Sequence, residues 1–403
     1  MHKIERLLQT LAPKGVEFRK LGEVCEILDN RRIPIAKNKR NPGIYPYYGA
    51  NGIQDYIDSY IFDGDFVLVG EDGSVINKDN TPVVNWASGK IWVNNHAHVL
   101  QTKNELKLKF LYFYLQTIDV SYCVAGTPPK INQENLKKIT IPIPPLEVQQ
   151  EIVKILDAFT ELNTELNTEL KARKKQYQYY QNMLLDFKGI NQSHKDATMS
   201  AKPYPKNLKT LLQTLAPKGV EFRKLGEVLE YDQPNKYCVT SKEFDKSYPT
   251  PVLTAGKTFI LGYTNEKDNI YQASKSSPVI IFDDFTAATQ WVDFPFKVKS
   301  SAMKILLPKN PTINIRFIFF YMQTIPYNIS GEHTRQWISR YSQITIPIPP
   351  LEIQQEIVKI LDQFSALTTD LLAGIPAEIE ARKKQYEYYR EKLLSFKPLH
   401  NKA

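Results

Sequence analysis

Few stretches of this 403-residue sequence carry side chains at spacings that could do covalent chemistry. Ala255–Thr258 reads AGKT, the tail of a phosphate-binding loop. The glycine such a loop needs five positions before Gly256 is Pro251, so the backbone cradle is missing. Asp283 and Asp284 form a carboxylate pair of the kind nucleases use, but no Glu-x-Lys follows at short spacing, and loop capping suits them better. His96 and His98 stand on one face of a predicted strand, the spacing of a two-ligand metal arm; with no third ligand indicated, no metal is expected. There is no GxGxxG motif and no Asn/Asp-Pro-Pro-aromatic motif of amino-methyltransferases. Cys25, Cys123 and Cys238 lie far apart and suggest neither a zinc site nor a disulfide framework, in keeping with a reducing cytoplasm. No catalytic residue and no cofactor bound by this chain is expected.

Binding chemistry is better represented. The stretch from Asp29 to Gly52 gathers Arg31, Arg32, Lys37, Lys39 and Arg40 beside Tyr45, Tyr47 and Tyr48, and closes with Asn51-Gly52. Cations of this kind position phosphates, while amides and guanidinium groups read base edges. Two later loops, AGTPPKIN from Ala125 and SGEHTRQWISR from Ser330, each join a threonine to a cation at matching places. The residues expected to contact nucleic acid are Arg31, Arg32, Lys39, Arg40, Tyr48, Asn51, Thr127 and Lys130 in the first half. In the second they are Lys257, Thr286, Thr289, Gln290, Thr334, Arg335 and Gln336. A formal charge of +9 agrees with a polyanionic partner without requiring one.

An internal repeat organises these residues. LLQTLAPKGVEFRKLGEV occurs at Leu7–Val24 and again, letter for letter, at Leu211–Val228. IPIPPLEVQQEIVKILDAF from Ile141 returns as IPIPPLEIQQEIVKILDQF from Ile346, and ARKKQYQYYQNMLLDFK from Ala172 as ARKKQYEYYREKLLSFK from Ala381. Between the matched ends, Cys25–Thr140 and Leu229–Thr345 have nearly equal length and little common sequence, as two readers of different things in one frame would. Both middles read as α+β: short β-branched or aromatic runs bounded by Gly, Asp and Asn, then one apolar helix (LKLKFLYFYLQTI; IRFIFFYMQTI). The Ile-Pro alternation that follows must be extended, because proline lacks the N–H a helix interior needs.

Long helices come next. Leu146–Lys188 contains no Gly or Pro. Ile152, Phe159 and Leu166 recur every seven residues, and the companion series slips by one residue within the tetrad repeat TELNTELNTELK, so the seam has a four-residue stutter. These residues and their counterparts Ile357 and Phe364 are assigned to packing. About 40 helical residues span about 60 Å, more than one DNA turn of about 35 Å. The expected order is a globular segment over 1–145, a helix over 146–188, a polar linker over 189–206, a second globular segment over 207–350, and a helix over 351–397 kinked or split near 373–378, where Gly374 and Pro376 fall. The N-terminus lacks the apolar core of a signal peptide, and no run is long enough for a membrane span. On residues alone, a non-catalytic DNA reader, a self-sufficient DNA methyltransferase or nuclease, and a coiled-coil assembly protein without DNA specificity all stand.

The duplicated KGVEFRKLGEV, IPIPPLExQQEIVKILD and ARKKQYxYYxxxLL, with YYGANGI, DFVLVGEDGS, IIFDDFTAATQWVDFPFKVKSSAMKIL and the TELN tetrads, resemble the DNA-specificity (S) subunits of Type I restriction–modification systems along essentially the whole chain. The resemblance implies two α/β target-recognition domains, each reading one part of a bipartite, asymmetric site in double-stranded DNA. It further implies two long antiparallel coiled-coil helices that give pseudo-twofold symmetry and set the half-site spacing. Two modification (methyltransferase) subunits would bring S-adenosylmethionine, and restriction subunits would bring ATP and Mg for translocation and cleavage.

Overall fold

A computed structural model describes residues 2–73, 75–187, 204–254, 258–326, 335–369 and 374–399. They divide into two units, Met1–Thr168 with Glu378–Ala403, and Glu169–Ala377. Most of the expected linker, Lys257, Thr334, and residues 370–373, of which 373 opens the expected helix break, lie outside the described residues.

In chain order the first half contains α1 (His2–Leu11), β1 (Glu17–Lys20), α2 (Leu21–Val24), β2 (Cys25–Ile27), β3 (Pro42–Gly49), β4 (Gly52–Ile57), β5 (Phe62–Gly70), β6 (Val84–Val93), β7 (Ala97–Thr102), α3 (Leu108–Leu115), α4 (Gln133–Lys138), β8 (Thr140–Ile143) and the long α5 (Leu146–Leu185). The second half contains α6 (Lys206–Leu215), β9 (Glu221–Lys224), α7 (Leu225–Val228), β10 (Leu229–Asp232), β11 (Thr250–Leu253), β12 (Ile260–Thr264), β13 (Val279–Asp283), β14 (Thr289–Val292), β15 (Lys297–Val298) and β16 (Met303–Pro308). It ends with α8 (Ile315–Met322), α9 (Gln336–Ser339), β17 (Thr345–Ile348), α10 (Leu351–Thr369) and α11 (Ile375–Leu394).

The described residues of the first unit form a six-stranded sheet of order β2-β7-β5-β6-β3-β4, antiparallel except where β3 runs beside β6. In the second unit the same course appears as β10-β16-β13-β14 and, separately, β12-β11-β15, with β11 and β15 parallel. β14 and β15 thus take the place of the single β6, and Pro295, which cannot donate to a ladder, lies between them. The central strands are apolar on both faces. Val67 and Val69 of β5 pack toward α3, while Phe66 and Leu68 point to a second cluster with Ile91 and Val99. Ile280 and Phe282 of β13 likewise face α8, whereas Val279 and Ile281 face Phe296 and Met303. The period-two alternation of a strand sends successive side chains into different cores, which is why these strands read as unbroken apolar runs.

The repeated letters become one clamp built twice. β8 pairs antiparallel with β1, Glu17 opposite Ile143 and Lys20 opposite Thr140. β17 pairs with β9 in the same register, Glu221 opposite Ile348 and Lys224 opposite Thr345. One turn into each long helix a glutamine is fully buried. Gln149 Oε1 accepts the Lys107 N–H at 2.8 Å, and its Nε2 donates to the carbonyls of Glu105 and Pro144. Gln354 does the same with the Asn314 N–H and the carbonyls of Thr312 and Pro349. One amide therefore satisfies three backbone groups at the junction of strap, long helix and the helix of the reader core.

A second shared contact fixes each reader against its helix. Lys109 lies 4.3 Å from the Trp86 ring and 3.4 Å from Asp157, and Arg316 lies over Trp291 at 4.5 Å with Asp362 at 2.8 Å. The helices cross-pair within each unit. In the first, Phe159 of α5 stacks on Tyr389 of α11 at 5.6 Å; in the second, Phe364 of α10 stacks on Tyr180 of α5 at 5.0 Å. In each unit the start of one long helix thus meets the end of the other, antiparallel. Within the tetrads, Thr160, Thr164 and Thr168 each donate to the carbonyl four residues back. α11 starts at Ile375 with Pro376 in its first turn, where the missing N–H costs nothing.

Replacing Gln149 by leucine leaves three buried backbone groups unpaired and is expected to lower the unfolding free energy of the first unit by about 2–4 kcal/mol, measured by denaturant titration. Gln149→Glu should do no better, because a carboxylate cannot donate to two carbonyls.

Candidate nucleic-acid interface

Three loops that are distant in sequence meet at one end of the first reader. Asp72 bridges to Lys130, Gly73 N–H donates to the Pro129 carbonyl, and Ile131 N–H donates to Glu71 O at 2.9 Å. The turn that starts at Asp29 closes onto the same place. His98, fully buried on β7, lies within hydrogen-bond reach of Asp29 Oδ2 through Nδ1 at 2.6 Å and of the Ile131 carbonyl through Nε2 at 2.8 Å. Arg32 Nη1 lies 2.5 Å from Glu71 Oε2 and also donates to the Ala97 carbonyl, and Lys130 Nζ lies 3.1 Å from Glu71 Oε1. Burial pushes the Asp29 carboxyl up, but the hydrogen bond and charge of His98, with Arg32 and the Val99 N–H, hold it below its ordinary value.

Asp29, Glu71 and His98 bring their ligand atoms within 4.8 Å of one another, a spacing a metal ion could use. Arg32, Lys130 and His98 already occupy and balance the two carboxylates, so a cation would have to displace them. The two histidines do not share a strand face. Asn94 Oδ1 accepts the His96 N–H and turns the chain, leaving His96 half-exposed beside Asp72 while His98 enters the core. Burial pushes the Cys25 thiol up to about 12, which leaves no thiolate for nucleophilic chemistry.

The other first-half candidates lie along the 31–57 stretch. Arg31 stacks over Phe62 and donates to the Ile61 carbonyl. Arg40 lies 4.0 Å over Tyr47, donates to the Ile35 carbonyl and reaches Asp55 at 3.4 Å. Lys39 is exposed, and Asn51 is exposed at the tip of the β3–β4 hairpin. Tyr48 is core, packed with Phe62 and Val93 rather than presented to a partner. Thr127 is exposed on the loop that ends at Lys130.

The second reader places its candidates on the corresponding loops. Asp283 caps its own turn, accepting the Phe285 and Thr286 N–H groups and the Thr286 hydroxyl. Asp284 faces inward: its carboxylate accepts the Trp337 N–H at 2.8 Å and lies 3.5 Å from Lys304, and its carbonyl accepts the Gln336 N–H. Lys304 is fully buried on β16, where it donates to Gln233 and lies over the Tyr231 ring. Thr286 and Gln290 are exposed, Thr289 is half-buried at the start of β14, and Arg335 is exposed at the head of α9. Gln336 is buried, so its place is under the loop rather than on it. Sequence reasoning missed Asp29, Glu71, His98, Gln233 and Lys304 as the groups that fix these loops. Asp29 and Lys304 are charged residues at the ends of apolar runs, a signal for buried pairing that composition alone does not resolve.

Known proteins resemble the chain throughout. The Type I restriction modification DNA specificity domain matches twice, over residues 13–176 and 217–381. A putative type I restriction enzyme specificity subunit of Haemophilus influenzae is 35% identical over 98% of each chain. The EcoR124I/EcoR124II specificity subunit of Escherichia coli is 55% identical over 188 residues, 44% of this chain and 45% of that one, so this match spans about half the length of that relative. In fold, the crystal structure of a Type I restriction–modification S subunit from M. genitalium aligns with a TM-score of 0.63 at 16% identity, covering 94% of this chain and 96% of that one.

Asp29 has a lowered pKa in the folded state, so its contribution to stability is complete above the ordinary value of 3.8 and is lost as pH falls through the folded value. Asp29→Asn should therefore destabilise the first unit at neutral pH and flatten its loss of stability on acidification, as read by denaturant unfolding across that range.

Proposed function

The chain belongs to the Type I restriction–modification DNA-specificity family, and from that premise we propose that each of its two units reads one half of a bipartite, asymmetric site in double-stranded DNA. The observation that carries this reading is a pair of like frames whose matched loops differ in chemistry: 71–73 with 125–130 in one, 284–290 with 335–337 in the other. Exposed Lys39, Asn51 and Thr127, and exposed Thr286, Gln290 and Arg335, are the first choices for contact, while Lys130 is exposed but held by Glu71. Arg31, Arg32 and Arg40 already have protein partners and serve the loops they brace. Lys257 and Thr334 remain candidates by sequence position.

In this reading the chain carries no catalytic centre. Two modification subunits dock on it and use S-adenosylmethionine to methylate adenine, and restriction subunits use ATP and Mg to translocate and cleave. The long helices set the distance between half-sites. Each tetrad's threonine donates to the carbonyl four residues back, so the same pattern closes again when one tetrad is removed. Among the described residues no helix is long and apolar enough to cross a membrane, and action on DNA in the cytoplasm is part of the proposal.

Exchanging Cys25–Thr140 for the equivalent segment of another reader should change one half of the methylated motif and leave the other half and the spacer intact. Deletion of one TELN tetrad should change the spacer alone or abolish activity. Methylome sequencing checks both, and a swap that alters both half-sites would overturn the two-reader model. Methylation by the purified chain alone would contradict the absence of a catalytic centre.

At single residues the two kinds of contact separate. Gln290→Ala should cost about 1–3 kcal/mol on the cognate site and relax one base position. Lys39→Ala should weaken all sequences alike and reduce the salt dependence by about one unit of slope. Binding titrations on cognate and single-substituted duplexes at several salt concentrations distinguish them.

A further inference from the structure

The two readers share a buried polar node that their sequences conceal. In the first, Ile27 faces Leu100 and Leu100 faces Val67; in the second, Tyr231 faces Leu306 and Leu306 faces Ile280. Counting along the strands from these pairs sets Asp29 against Gln233, Glu71 against Asp284, and His98 against Lys304. The connections match as well. The backbone carbonyl of the loop acid accepts an N–H from the second loop, from Ile131 onto Glu71 at 2.9 Å and from Gln336 onto Asp284 at 2.8 Å. The basic side chain on the neighbouring strand, wholly buried in both units, lies between that acid and the residue two places beyond the first strand's register pair. His98 lies 3.8 Å from Glu71 and 2.6 Å from Asp29; Lys304 lies 3.5 Å from Asp284 and donates to Gln233.

None of the three positions carries the same residue in the two units, yet the geometry is the same. Stability alone does not account for this, because a buried ion pair is commonly no better than well-packed apolar side chains of equal volume. What such a pair supplies is a defined distance: the charges must meet, so the loops bearing them stop at one separation. In both units those loops are the ones whose exposed residues are proposed to meet the bases.

We propose that this node is the positioning device for base reading, with Asp29, Glu71 and His98 in the first unit and Gln233, Asp284 and Lys304 in the second holding the two recognition loops in register without touching DNA. It rests on the DNA-reading function proposed above. Arg32 and Lys130 join the first node through Glu71, and the Trp337 N–H joins the second through Asp284.

The test uses the full chain co-expressed with its modification subunits. Site preference is read at each half-site by methylome sequencing, and binding by titration with duplexes altered in one half. Lys304→Met strands the Asp284 carboxylate. It should lower discrimination in the half-site of the second unit by at least about tenfold, leaving the other half-site and the salt slope unchanged. The double variant Asp284→Asn with Lys304→Met removes both charges but keeps an oxygen for the Trp337 N–H, and should recover most of the discrimination. Asp29→Asn should give the mirror result in the first unit, and decides the matter if Lys304→Met disrupts its unit. The proposal is overturned if a folded single variant keeps full discrimination in its own half-site, if both half-sites suffer alike, or if the double variant is no better than Lys304→Met. If the reader exchange moves one half-site while node variants stay silent, only the node fails. If the wild-type chain selects no bipartite motif, the DNA-reading proposal fails and takes the node with it.

Discussion

Everything in each unit hangs from a buried amide. Gln149 and Gln354 sit one turn into their helices, at the point where strap, long helix and reader core converge, and each satisfies one donor and two acceptors on two backbone segments, the strap and the lead-in to the reader's helix. No other side chain of that size could do this neutrally. An acid lacks the donors, a lysine lacks the acceptor, and an apolar residue leaves three groups orphaned. The amide therefore sets where the helix leaves the reader. The cation pairs about two turns further along, Lys109 with Asp157 and Arg316 with Asp362, set the angle by tying the reader's own helix and its tryptophan to the long helix. This junction explains why the repeated letters lie at the ends of each half: they are the two sides of one clamp, and they pair with each other in a single register.

Freedom in the middles follows from rigidity at the ends. Once β1 with β8 and β9 with β17 close the frame, the strands between need only keep both faces apolar and the central order intact. Large local departures are then tolerated. The continuous β6 of one reader is divided by Pro295 in the other, yet the parallel pairing at its far end survives as Tyr47 opposite Trp92 and as Val252 opposite Lys297. Lys297 at that end is itself fully buried and paired with Glu266 at 2.6 Å, a local solution that the first reader does not use.

The parts legible in the sequence were those written in short-range patterns. The repeat, the extended strap and the seam all follow from spacing within a few residues or from letter identity. Partnership across the sheet was not legible. His98 and Asp29 are separated by 69 residues and meet only through the β2–β7 ladder. Nothing in NNHAHV indicates that its two histidines part, one outward to Asp72 and one into the core, because the cause is an asparagine side chain turning its own backbone. The stretch from Asp29 to Gly52 is divided in a similar way. Its arginines and tyrosines look like a surface set for a polyanion, but Arg40 lies on Tyr47 and Tyr48 fills the core, so part of that chemistry is spent internally.

That internal use bears on how a reader can change what it reads. A guanidinium already braced by a ring and a carbonyl has lost most of its rotamer freedom, and one braced by Glu71 and Asp29 has its charge matched by carboxylates as well. Such groups make poor adaptable contacts and good supports. The side chains left exposed on those supports, Asn51, Thr127 and Gln290 among them, are polar, and each can be replaced without exposing a buried charge. The structure thus separates residues that must be kept together from residues that can be exchanged singly. The first group is paired across the sheet, where a single change strands a partner. The second stands on loop tips or, for Gln290, on the edge strand β14, where a single change alters only what is presented.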